Sequence, residues 1–192
     1  MAVDEVEAER AQVFALLGRL LSAPPDAMLL ARLRSLEGNA TPLGTALGAL
    51  AEAAGATGEA AAAREFFDLF IGVGRGELLP YASFYLTGFL HERPLAELRA
   101  ELRRLGVVRA AGVAEPEDHI GFVCEVLAGL RDGRFGAAPG APEVFFARHL
   151  RPWAGRFFTD LEKAAAARFY RAVGLLGRAM IEIEQDAAGL PA

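Results

Sequence analysis

Glu115-Pro116-Glu117-Asp118-His119-Ile120, continuing as Gly121-Phe122-Val123-Cys124-Glu125-Val126-Leu127-Ala128-Gly129-Leu130, is the stretch on which the fold reading turns. Glu115 stands where a cap would, Pro116 suits a first helical position, and the acidic residues complement the positive end of a helix dipole. A helix is therefore expected from this point. Ile120, Val123, Leu127 and Leu130 recur at spacings of three and four and form one apolar stripe facing a core. Asp118 and His119 fall in the expected first turn, where their side chains would look into a cleft.

Working outward, the same periodicity repeats along the chain. Val13, Leu16, Leu17, Leu20 and Leu21 mark a helix over 4–22, ended by Pro24-Pro25. A short helix follows over 26–36. Thr41-Pro42 places a cap before a first-turn proline and opens a third, while the Ala- and Gly-rich residues 51–63 fit either helix or loop. Phe66, Phe67, Leu69 and Phe70 restore the pattern up to Ile71. Short helices are expected over 82–90 and from Pro94 to Leu105, with Gly106 as the stop. After the loop 132–142, helices resume over 143–150, from Pro152, and over 165–185. No alternating apolar and polar run marks a strand, and no fixed-period repeat is present. The expectation is all-α: a single domain over 1–192 of about nine or ten helices, with hinges near 106–116 and 132–142.

Composition limits the function. A chain of 192 residues with 53% hydrophobic and 23% charged residues can bury a substantial core. The net charge of −5 disfavours a general nucleic-acid binder, and Arg99, Arg103 and Arg104 read as a solvated face rather than a DNA-reading helix. The acidic N-terminus is unlike a secretory signal, and no apolar run approaches bilayer length, so stable membrane insertion is not expected. Cys124, the single cysteine, reads as a buried small hydrophobe. The residues point to a cytoplasmic protein.

Asp118 and His119, with Glu115, Glu117 and Glu125, could orient an imidazole for acid-base work. His91 and His149 supply no metal-ligand spacing, and Ser83 and Cys124 lack a nucleophile's setting. Gly72-Val73-Gly74-Arg75-Gly76 superficially suggests a phosphate loop, but no strand precedes it and a helix stop is the better reading. Asp118 as a helix-end carboxylate and His119 as a half-buried hydrogen-bonding group are the bland readings.

Five motifs in order, Leu69-Phe70-Ile71-Gly72, Leu79-Pro80-Tyr81-Ala82-Ser83-Phe84-Tyr85, Glu115-Pro116-Glu117-Asp118-His119, Phe146-Ala147-Arg148-His149-Leu150-Arg151-Pro152-Trp153 and Arg168-Phe169-Tyr170, resemble those of the TorD/DmsD/NarJ family of molybdoenzyme maturation chaperones. They span roughly residues 64–175. The resemblance implies a TorD-like all-helical fold and a binder rather than an enzyme. It implies a cytoplasmic partner of an apo-oxidoreductase catalytic subunit, holding the client's twin-arginine signal peptide or N-terminal segment until molybdopterin is inserted.

Carried over motif by motif, the peptide-binding residues would be Leu69, Phe70, Pro80, Tyr81, Ser83, Tyr85, Glu115, Asp118 and His119. Relatives often carry tryptophan where this chain has Tyr81. No resident cofactor is implied, since the client carries the molybdopterin, and the assembly implied is mainly a monomer with a domain-swapped dimer as a variant. The alternative is a nucleotide-binding switch or small hydrolase using the 72–76 loop with Asp118 and His119. A basic segment followed by an apolar one calls for carboxylates beside an apolar groove.

Overall fold

The computed structural model describes residues 2–110, 112 and 114–189. Met1, and Ala111 and Val113 within the expected 106–116 hinge, lie outside the described residues. Ten α-helices appear among them: α1 (Ala2–Ser22), α2 (Ala27–Arg34), α3 (Pro42–Ala56), α4 (Glu59–Phe66), α5 (Ala82–Thr87), α6 (Arg93–Leu105), α7 (Ile120–Arg131), α8 (Ala141–His149), α9 (Ala154–Lys163) and α10 (Phe169–Gly189). A π-helical turn, Phe67–Ile71, prolongs α4. The all-α expectation is met. Two compact units divide the chain, one of residues 1–22 with 80–154, the other of 23–79 with 155–192.

In the first unit α7 is the central helix. The expected stripe of Ile120, Val123, Leu127 and Leu130 is buried, but so are Gly121, Cys124, Val126, Ala128, Gly129 and Arg131, nearly the whole circumference. Small residues allow this. At Gly121 an added Cβ would stand 2.4 Å from Ser22 Oγ and 3.1 Å from Gly18 O, and one at Gly18 would stand 3.1 Å from Gly121 O. Thus α1 and α7 meet almost backbone to backbone. The Arg131 side chain, fully buried, ties the same helices to α8 by ion pairs with Glu7 and, at 3.4 Å, Glu143. We expect Gly121→Leu, which must wedge these helices apart, to destabilise the fold by about 2 kcal/mol, roughly 4–8 °C in Tm. A melting curve matching wild type would contradict that close approach.

The start of α7 differs from the expectation. The helix begins at Ile120, not near Pro116, because residues 118–120 pair with 80–82: Ala82 N donates to Asp118 O (3.0 Å) and Ile120 N to Pro80 O (2.8 Å). Those two long-range bonds hold His119 extended, directly after a turn at 117–118 that His119 N closes by donating to Pro116 O at 3.1 Å. His119 becomes the N-cap, its Nδ1 accepting from Gly121 N at 3.1 Å. Asp118 and His119 therefore precede the helix rather than occupying its first turn.

In the second unit Thr41 and Pro42 cap and open α3 as expected, with Thr41 Oγ1 accepting from Gly44 N at 3.0 Å. The ambiguous 51–63 region is helical on both sides of a break at Thr57-Gly58. The final helix starts at Phe169 instead of 165. Glu65, itself buried, accepts from the backbone N–H of Arg168 (2.7 Å), Phe169 (3.1 Å) and Tyr170 (2.7 Å). Glu77 accepts from Ala165 N (2.6 Å) and Ala166 N (2.9 Å). Two distant glutamates thus take the amides that lead into α10. Gly174 and Gly177 let α10 lie against α9, since a Cβ at Gly177 would fall 2.1 Å from the Phe158 ring.

Candidate functional site

The site residues of the first unit assemble around the short bridge between Tyr81 and His119. Asp118 is buried, 1% exposed, and its Oδ2 accepts from Ser83 N at 2.9 Å, which caps the start of α5. Its carboxylate thus stabilises a helix to which it does not belong. Ser83, completely buried, accepts at Oγ from Glu92 N at 3.2 Å. The chain Asp118–Ser83–Glu92 fixes the 80–83 segment to the loop before α6.

Tyr81 is half-buried and lies edge-on to the His119 ring with centroids 5.3 Å apart. Its hydroxyl donates to Glu115 Oε2, and Arg109 Nη1 donates to the Glu115 backbone carbonyl at 2.5 Å, holding that exposed residue at the mouth. Burial raises the Tyr81 pKa, reinforced by its bond to Glu115. Burial also pushes the His119 pKa down to about 4, against the opposing pull of Glu115 and Asp118. The imidazole is neutral near pH 7, and its acceptor nitrogen holds the Gly121 amide.

Tyr81, Leu90, His91, Ala114, Glu115, Pro116 and Asp118 line a cleft of about 270 Å³. Among the described residues, no cation pairs with the carboxylate of Glu115 or of Asp118. Glu117 is different, for Arg99 holds it at 2.7 Å and draws its pKa below the ordinary value although burial pushes it up. Arg99 also feels the Asp118 charge, though it forms no ion pair with it. His91 lies in the loop after α5 with φ +61.

Of the other expected contacts, Tyr85, Pro80 and Leu69 are buried. Tyr85 is a core residue, its ring 5.6 Å from that of Trp153, whose Nε1 donates to His149 O at 2.7 Å. Leu69 and Phe70 belong to the second unit, where Leu69 is fully buried and Phe70 packs 5.1 Å from Phe66 and 5.5 Å from Tyr170. Gly72 sits at φ +61, and a Cβ there would stand 2.0 Å from Arg75 O, so the glycine-rich segment folds back on the end of the π-helical turn. Gly72 N donates to Phe67 O at 2.7 Å. This geometry is that of a helix stop.

Cys124 is wholly buried and its thiol pKa is raised by that burial. Among the described residues no group of three or more metal-ligating side chains converges. No described helix is long and apolar enough to cross a membrane.

Residues 36–159 match the family described as nitrate reductase delta subunit, nearly two thirds of the chain and including the Tyr81–Glu115 cleft. This chain belongs to that family. It is 32% identical over 129 residues to the chaperone protein TorD of Vibrio cholerae, covering 62% of this chain and 59% of that protein. Over 123 residues it is 32% identical to the TorD chaperone of Aliivibrio fischeri, 58% and 57% of the two chains. Over 110 residues it is 32% identical to the probable Tat proofreading chaperone DmsD of Haemophilus influenzae, 56% and 52%. The match spans between about half and three fifths of the length of these relatives. The family resemblance read from the five motifs is borne out.

Proposed function

We propose that this protein is a cytoplasmic maturation chaperone, not an enzyme, which takes the basic part of an apo-molybdoenzyme's signal peptide into the Tyr81–Glu115 cleft. It would hold the precursor while molybdopterin is inserted and before twin-arginine export. The names of the TorD and DmsD relatives support the class of function. One structural observation carries the site: two carboxylates, Glu115 and Asp118, line one small cleft and pair with no cation among the described residues.

An arginine guanidinium can pair with a carboxylate in a bidentate manner, and the Tyr81 ring offers a face for its planar cation. Glu115, exposed at the mouth, is the direct contact. Asp118 shapes the cleft from within while it caps α5.

Glu115→Gln keeps an acceptor for the Tyr81 hydroxyl and removes the charge. We expect it to weaken binding of a twin-arginine peptide by about 1.5–3 kcal/mol, ten- to over a hundredfold, with an unchanged melting curve. Calorimetry with that peptide and with one whose two arginines are glutamine checks it. Equal affinity of the wild-type protein for both peptides would remove the cleft from the mechanism.

A further inference from the structure

Beside the cleft, Leu86, Phe89 and Leu90 are 43%, 70% and 40% exposed, three large apolar side chains within five positions. Leu90 is common to both surfaces, because it also forms a wall of the cleft. Apolar side chains massed this way at a protein surface mark interaction sites more often than isolated ones do.

The end of α5 and the turn after it, which display them, are braced. Thr87 Oγ1 donates to Ser83 O at 2.8 Å, Phe89 N donates to Thr87 Oγ1 at 3.3 Å, and Glu92 N donates to Ser83 Oγ at 3.2 Å. Gly88 and His91 both hold positive φ, +84 and +61, the second at a residue that pays a steric penalty for it. Phe89 is therefore held outward between two fixed turns. Ser83, which anchors both ends, is itself held by Asp118, so the carboxylate cleft and the apolar loop form one rigid surface.

We propose that Leu86, Phe89 and Leu90 are the docking surface for an apolar stretch lying next to the basic residues of the same client segment. The occupant follows from charge and order: unbalanced carboxylates on one side of Leu90 and apolar side chains on the other match a peptide in which arginines adjoin an apolar run. The inference rests on the cleft reading given above. It adds that the apolar run is read by Leu86 at the end of α5 and by Phe89 and Leu90 in the turn that follows.

The test is a double-mutant cycle by calorimetry on the full chain. Phe89→Ser is compared with wild type, and the twin-arginine peptide with one that keeps its arginines but has serine and glutamine in place of the apolar run. Each single change is expected to weaken binding about tenfold, and the two together little more than either alone. Independent, fully additive losses, or full affinity in Phe89→Ser, would overturn the proposal. So would a dimer of the peptide-free protein that Phe89→Ser dissociates in light scattering, which would assign the patch to a second copy of the chain. Failure of the cleft reading shows separately, as wild-type indifference to loss of the two arginines.

Discussion

Glu65→Ala is expected to destabilise the protein by about 4 kcal/mol, more than any other single change considered. The Glu65 carboxylate, 8% exposed, accepts three backbone N–H groups at 2.7–3.1 Å where the chain enters α10. Alanine leaves all three without an acceptor, two of them in buried surroundings. Hydrogen bonds to a charged group contribute about 1.5–3 kcal/mol each but do not add fully, hence the intermediate figure. For a chain of this size the loss corresponds to a fall in Tm on the order of 8–16 °C. Glu65→Gln should recover about half of it, since one oxygen can still serve the amides that Oε1 now holds, while its NH₂ would face the Phe169 N–H. A Tm within about 3 °C of wild type in the alanine variant would show that α10 does not depend on this cap.

The second large effect is a loss of stability on mild acidification. His119 is 7% exposed, and burial holds its folded pKa at about 4 against an ordinary 6.5. Between those values the unfolded chain binds a proton that the folded chain does not, so stability falls as pH drops from about 6.5 to 4 and levels off below. The full effect is about 3 kcal/mol. Burial also holds His149 below the ordinary histidine value, which adds to the slope, and raises Glu125, which opposes it toward the acid end; Glu101, held below the ordinary glutamate value by Arg104, acts only at lower pH. Asparagine is a good N-cap, so His119→Asn should keep the α7 cap and reduce the slope between pH 6.5 and 4, leaving the part that His149 contributes. Urea melts at half-unit steps in both proteins check this. An unchanged slope in the asparagine variant would place the titrating group elsewhere.

Much of this architecture is written in local signals. Thr41-Pro42 and the stop at Gly106 act within one turn of the chain, so their neighbours in sequence are their physical partners, and the apolar stripe of α7 is a period legible within the helix itself, whatever covers it. The misplaced helix starts share another cause. His119 is held extended by the pairing of its neighbours with Pro80 and Ala82, and α10 is delayed because Glu65 and Glu77 take its leading amides from some ninety or a hundred residues away. Helix propensity carries no trace of such partners.

The site divides along the same line. The motifs around Tyr81 and Glu115 do come together. That Asp118 is occupied with the Ser83 amide, that Tyr85 packs on Trp153, and that Glu117 belongs to Arg99 are tertiary facts. The helix expected over 82–90 stops at Thr87, with Gly88 at φ +84, so the exposure of Phe89 is also a tertiary fact.

The pairing of α1 with α7 sets a timetable for synthesis. The Leu17, Leu20 and Leu21 face of α1 leaves the ribosome about a hundred residues ahead of the helix that covers it. At 5–20 residues per second that is an interval of roughly 5–20 s. The second unit imposes a similar wait, because α3 precedes its partner α10 by more than a hundred residues. Neither core can close until the C-terminal half exists, so for those seconds the nascent chain is itself an unfolded polypeptide with its apolar surface uncovered.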